Sequence, residues 1–213
     1  MKIKLGRFRN IGEGEPVLIV AELSANHRQR FELAVKTIKA AKKAGADAVK
    51  LQTYTPDTMT IDCDNKYFKI RHKTIWDGRT LYRLYEEACT PWEWQPRLKK
   101  IAEDLGLILF STPFDKSAVD FLEDMNLPAY KIASCEITDI PLIEYIASKG
   151  KPVIISTGIA TYSDIKEAIT ACRKSSNSQI AILKCTSAYP TPPDEVNLTA
   201  IPYLKNKFKT VVG

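Results

Sequence analysis

Two lysines stand where a lysine is costly. Lys50 and Lys131 each interrupt an apolar run, at 46–52 and 129–132, and an ammonium buried without a partner is strongly disfavoured. An anion held between them would supply that partner. Hydroxyls follow the same pattern, because Thr112, Ser134 and Ser156 lie at or just past the ends of apolar runs. With nearby backbone amides they can complete a cradle for phosphate or carboxylate. Glu22 and Glu136 are carboxylates on the same rim, suited to act as acid, base or acceptor from a sugar hydroxyl. A second chemistry competes with this one. Lys131 or Lys184 could attack a carbonyl and form a Schiff base, as lysines do in barrel aldolases.

These residues need elements to hold them. Seven short apolar runs recur at 16–21, 46–52, 107–111, 129–132, 152–156, 180–184 and 210–213, with helical patterns between them. Runs apolar on both faces and alternating with helices predict parallel strands covered by helices. Most start about 22 to 30 residues apart, the stride of a (β/α) barrel or a doubly wound sheet. Phe31, Ala34, Val35, Ile38 and Ala41 share one helix face, and Gly45 follows as a stop. Thr90-Pro91-Trp92-Glu93 reads as a capping box closed by Gly106, and Pro141 opens a helix ended by Gly150. A further helix spans 161–174, with Asp164 three residues after Thr161. The stretch 54–79 is polar, aromatic and turn-rich, an inserted loop over one end of the sheet. Each of the first six strands ends in a charged or hydroxyl residue. In a parallel barrel those ends meet at one mouth, and a side-chain period of two sets Lys50 and Gln52 on the same face.

Composition removes several other functions. The formal charge is +6, yet Lys and Arg interleave with acids, as over 36–43 and 97–104, which argues against nucleic acid. No run of eighteen apolar residues marks a membrane span, and residues 1–16 lack the apolar stretch of a signal peptide. A cytoplasmic enzyme is therefore expected. The five cysteines form no CxxC pair and read as reduced, mostly packing thiols. His27 and His72 are the only histidines.

The residues that carry this pattern resemble the sialic acid synthase family of phosphoenolpyruvate-dependent nonulosonic acid synthases. The resemblance rests on 21–27 (AELSANH), 49–54 (VKLQTY), 110–114 (FSTPF), 130–134 (YKIAS), 156–158 (STG) and 183–190 (LKCTSAYP), in order at successive strand ends. Within the family, Leu23-Ser24, 53–57 (TYTPD) and 90–94 (TPWEW) are most similar to the pseudaminic acid synthase branch. The resemblance implies a TIM-type (β/α)8 barrel and a transferase that condenses phosphoenolpyruvate with an open-chain 2,4-diacetamido-2,4,6-trideoxy-altrose. Neuraminate and legionaminate synthases are the alternatives within the family. It further implies that Lys50, Lys131, Thr112, Ser134 and Ser156 hold phosphoenolpyruvate, and that Ser187 and Tyr189 belong to a ligand-contacting motif. Glu22 would orient or activate the attacking water, Glu136 would bind sugar or relay a proton, and Gln52 would join the sugar side.

The same resemblance implies a divalent metal (Mn or Mg) held by two histidines after the seventh and eighth strands. The chain reaches Gly213 near the end of its seventh strand, so those ligands are expected beyond it and none within. The reading is a C-terminally incomplete barrel over residues 1–213, without the eighth strand and the C-terminal antifreeze-like domain. A homodimer is expected of the full-length family. Left alone, such a chain could also be a non-catalytic ligand-binding fragment.

Overall fold

Strands that are apolar on both faces must be covered on both, and the chain satisfies this by curling its sheet around itself. The computed structural model describes residues 1–6, 9–71, 76–188 and 190–213. A hairpin of β1 (Lys2–Leu5) and β2 (Arg9–Gly12) comes first, then β3 (Val20–Glu22), α1 (Phe31–Lys43), β4 (Ala48–Thr53), α2 (Pro56–Met59) and α3 (Leu81–Ala88). Next come α4 (Gln95–Asp104), β5 (Ile108–Pro113), α5 (Lys116–Asp124), β6 (Tyr130–Ile132) and α6 (Ile140–Ser148). The chain closes with β7 (Val153–Ser156), α7 (Tyr162–Lys174), β8 (Ile180–Leu183), α8 (Ala200–Phe208) and β9 (Val211–Val212). Strands β3 to β9 form one seven-stranded parallel sheet in chain order. This is an incomplete TIM-type barrel with β3 and β9 as its two edges.

The period of two divides the sheet into two cores. Val49, Leu51, Leu109, Tyr130, Ile132, Val153, Ile155, Ile180 and Ile182 point outward and pack under the helices. Their neighbours Ala48, Phe110, Ala129, Ile154 and Ala181 point inward and meet Ile3, Leu5 and Ile11 of the hairpin. The hairpin therefore plugs the N-terminal end of the strands, which leaves their C-terminal ends free for polar side chains. Its alternation is visible in the sequence, since buried Ile3 and Leu5 alternate with exposed Lys2 and Lys4.

Other expectations need correction. The first strand begins at Val20, because 16–19 has no ladder on its open side and leaves Val17 78% exposed. There the carbonyls of Pro16 and Val17 accept from the Arg9 guanidinium at 3.2 and 3.0 Å, while Ile19 N donates to Asp47 Oδ2 at 2.8 Å. Thr90 does not cap a helix. A 3-10 turn, Trp92–Trp94, precedes α4, and the Thr90 hydroxyl instead meets His27. The Thr161–Asp164 capping box at α7 is present as expected. The inserted segment is less irregular than its composition suggested: it holds α2 and bridges Lys69 to Thr80 ahead of α3. His72 lies outside the described residues. No helix among the described residues is long and apolar enough to cross a membrane.

Candidate active site

The inward parity that builds the lower core also selects which polar residues reach the mouth. Glu22, Lys50, Gln52, Thr112, Lys131, Ser134, Ser156 and Ser187 all line one cleft of about 950 Å³. Residues of opposite parity do not. Ser111 turns outward and shares a buried hydrogen bond of 2.7 Å with Thr53, which donates to Gln95 at 2.8 Å. Lys184 donates to Thr186 Oγ1 at 2.7 Å and does not line the cleft, which removes it from the Schiff-base reading. Phe114 and Ser24 also line the cleft and were missed. Continuing the period of two past Thr112 and Glu22 finds both.

At the strand ends the cleft gathers donors. Lys50 pairs its Nζ with Glu22 Oε2 and donates to Thr112 Oγ1 at 3.3 Å. Lys131 is only 6% exposed and donates to Ser156 Oγ at 2.5 Å and to the carbonyl of Ile132 at 2.7 Å. Among the described residues no carboxylate pairs with it. Burial, and then the nearby Lys50 charge, lower its pKa from 10.5 to about 8. Cys185, which also lines the cleft, donates to the same Ser156 oxygen at 3.3 Å. A buried cation without a counter-charge, beside a second lysine and three hydroxyls, is an anion site.

The remaining candidates are arranged differently. Glu136 does not line the cleft. It sits in the 3-10 turn Cys135–Thr138, with Oε2 buried and unpartnered, and burial raises its pKa. Tyr85 on α3 is close enough for the Glu136 charge to contribute to its own raised pKa, after burial. Tyr189 lies outside the described residues. His27 is fully buried and accepts from Gln29 N through Nδ1 at 3.1 Å, so Nε2 carries the proton towards Thr90 Oγ1 at 3.2 Å. Both ring nitrogens are engaged, and burial lowers its pKa, keeping it neutral. Among the described residues no three His, Cys, Asp or Glu side chains are grouped to hold a metal. Lys50 and Lys131 at the strand ends are likewise a poor setting for a divalent cation, so the residues present do not fit the metal that the resemblance implies.

The NeuB family model matches residues 37–213. The chain belongs to the NeuB family. Pseudaminic acid synthase from Campylobacter jejuni subsp. jejuni serotype O:23/36 (strain 81-176) is 47% identical over 204 residues, covering 96% of this chain and 59% of that one. N,N'-diacetyllegionaminic acid synthase from Legionella pneumophila subsp. pneumophila is 33% identical over 214 residues, covering 99% and 60%. The solved N-acetylneuraminic acid synthetase of Leptospira borgpetersenii serovar Hardjo-bovis, in complex with citrate, covers all of this chain and 69% of its own at 31% identity, with a TM-score of 0.87. This NeuB-family chain thus spans about three fifths of the length of the curated relatives it matches.

Proposed function

We propose that the chain carries the phosphoenolpyruvate-binding part of a pseudaminic acid synthase. The observation behind this is Lys131, buried with no carboxylate partner among the described residues and joined by Lys50, Thr112, Ser134 and Ser156 around one cleft. In the reaction, C3 of phosphoenolpyruvate attacks the aldehyde carbon of 2,4-diacetamido-2,4,6-trideoxy-altrose. Water adds at C2, and phosphate leaves by C–O cleavage. Lys131, Lys50 and the hydroxyls hold the phosphate and carboxylate, while Glu22 orients the water and Gln52 faces the sugar. Glu136, off the cleft with its pKa raised by burial, does not contact the sugar in this arrangement. The 47% identity to a pseudaminic acid synthase, against 33% to a legionaminic acid synthase, favours this sugar within the family. The divalent metal, its two histidines and an antifreeze-like domain would come from outside residues 1–213, in a cytoplasmic homodimer.

Calorimetric titration of phosphoenolpyruvate tests the assignment. Lys131 titrates near 8 in the free protein, so the ammonium is already present below that pH. Above it, binding must take up a proton. The Kd should stay flat up to about pH 8 and then rise by up to about tenfold per pH unit. A flat profile to pH 9.5 would remove Lys131 from the site.

The lowered pKa of Lys131 also favours a second reading, a Schiff-base lyase. Borohydride added with pyruvate distinguishes the two. No adduct at Lys131 is expected, because its ammonium protons are directed to Ser156 and Ile132 O. A trapped lysine by mass spectrometry would reverse the choice.

A further inference from the structure

Gly158 follows β7 at the rim, and its φ is not in the left-handed region, so backbone freedom does not explain a glycine there. Space does. A Cβ at this position would collide with Ser187 Oγ and lie 3.0 Å from Ser134 Oγ and 3.3 Å from Cys185 Cβ. The Gly158 N–H donates to Ser134 Oγ at 3.1 Å. We propose that Gly158 is the positioning residue of the anion cradle, drawing Ser134 and Ser187 together and orienting the Ser134 hydroxyl. The proposal rests on the reading that this cleft takes the phosphate of phosphoenolpyruvate.

The orientation follows from hydrogen-bond accounting. A serine hydroxyl has one proton and two lone pairs. With one lone pair of Ser134 occupied by Gly158 N–H, its proton is free for a ligand in the cleft. The same holds for Thr112, which accepts from Lys50, and for Ser156, which accepts from Lys131 and Cys185. Each hydroxyl is set as a donor, and the cradle therefore selects oxyanions with every oxygen free to accept. Gly158 sets this polarity at Ser134 without touching the ligand.

A double-mutant cycle on residues 1–213 tests the proposal, with binding of phosphoenolpyruvate and of inorganic phosphate read by calorimetry. Gly158→Ala should weaken both by at least about tenfold, with the melting temperature little changed. In a Ser187→Gly background the same substitution should cost less than about threefold, because the colliding oxygen is gone. An equal loss in both backgrounds, or none in either, overturns the positioning role. If Gly158→Ala does not fold, Ser134→Ala carries the test. Loss of the acceptor should speed exchange of the Gly158 amide proton and weaken phosphate binding, and unchanged exchange overturns the proposal. A parent chain that binds phosphate but not phosphoenolpyruvate counts against the functional reading alone, and one that binds neither overturns both.

Discussion

Lys131→Met is expected to weaken phosphoenolpyruvate binding by at least about 100-fold while raising the thermal stability of the chain. The loss of affinity follows from the position of the ammonium, which is buried beside Ser156 and forms no ion pair with a carboxylate among the described residues. Charge-assisted hydrogen bonds to an anion are worth about 1.5–3 kcal/mol each, and a hundredfold loss corresponds to about 2.8 kcal/mol. The gain in stability follows from the same burial. A pKa of about 8 instead of 10.5 means that folding with the charge in place costs on the order of 3 kcal/mol at pH 7. Methionine fills a similar space without a charge. The penalty is present in full below about pH 8 and fades towards 10.5, because the folded chain then releases a proton that the unfolded chain keeps. The difference in melting temperature between parent and variant should shrink across that window. A variant that still binds the ligand, or that melts well below the parent, would contradict this account of Lys131.

Leu5→Ala is expected to do the reverse. Leu5 is fully buried and joins Ile3 and Ile11 of the hairpin to Phe110, Ile154 and Ala181 inside the sheet. Truncating such a leucine costs about 2–5 kcal/mol, and a value near 3 is expected here from urea unfolding. A two-stranded hairpin has little stability of its own, so weakening this contact loosens the whole plug. The cradle lies at the other end of the strands, and the folded fraction should bind phosphoenolpyruvate within about twofold of the parent. A matching loss of affinity would mean that the plug and the cradle are coupled.

Much of this arrangement is legible in the residues. The outward set Val49, Leu51, Ile132 and Ile155 and the inward set Lys50, Gln52, Lys131 and Ser156 follow directly from a period of two. The sheet order follows chain order, with each strand pairing beside the one before it. The reading failed where local signals compete with distant partners. Thr90 carries a sound capping sequence, but the buried His27 takes its hydroxyl. Residues 16–19 read as a buried strand, yet they lie at an open edge where Arg9 meets their carbonyls.

Parity, helix punctuation and the types of residue at the strand ends were determined by the sequence itself, because each depends on neighbours a few positions away. Three features were decided only by the tertiary structure. Lys50 has Glu22 as its partner, while Lys131 forms no ion pair among the described residues. Glu136 lies off the cleft with one oxygen orphaned. Ser134 and Ser187 both crowd the space that a Cβ on Gly158 would fill. Charge partnership and close approach are set by distances across the sheet between residues about 24 to 29 positions apart, and curvature of the sheet, which no local pattern encodes, brings them together.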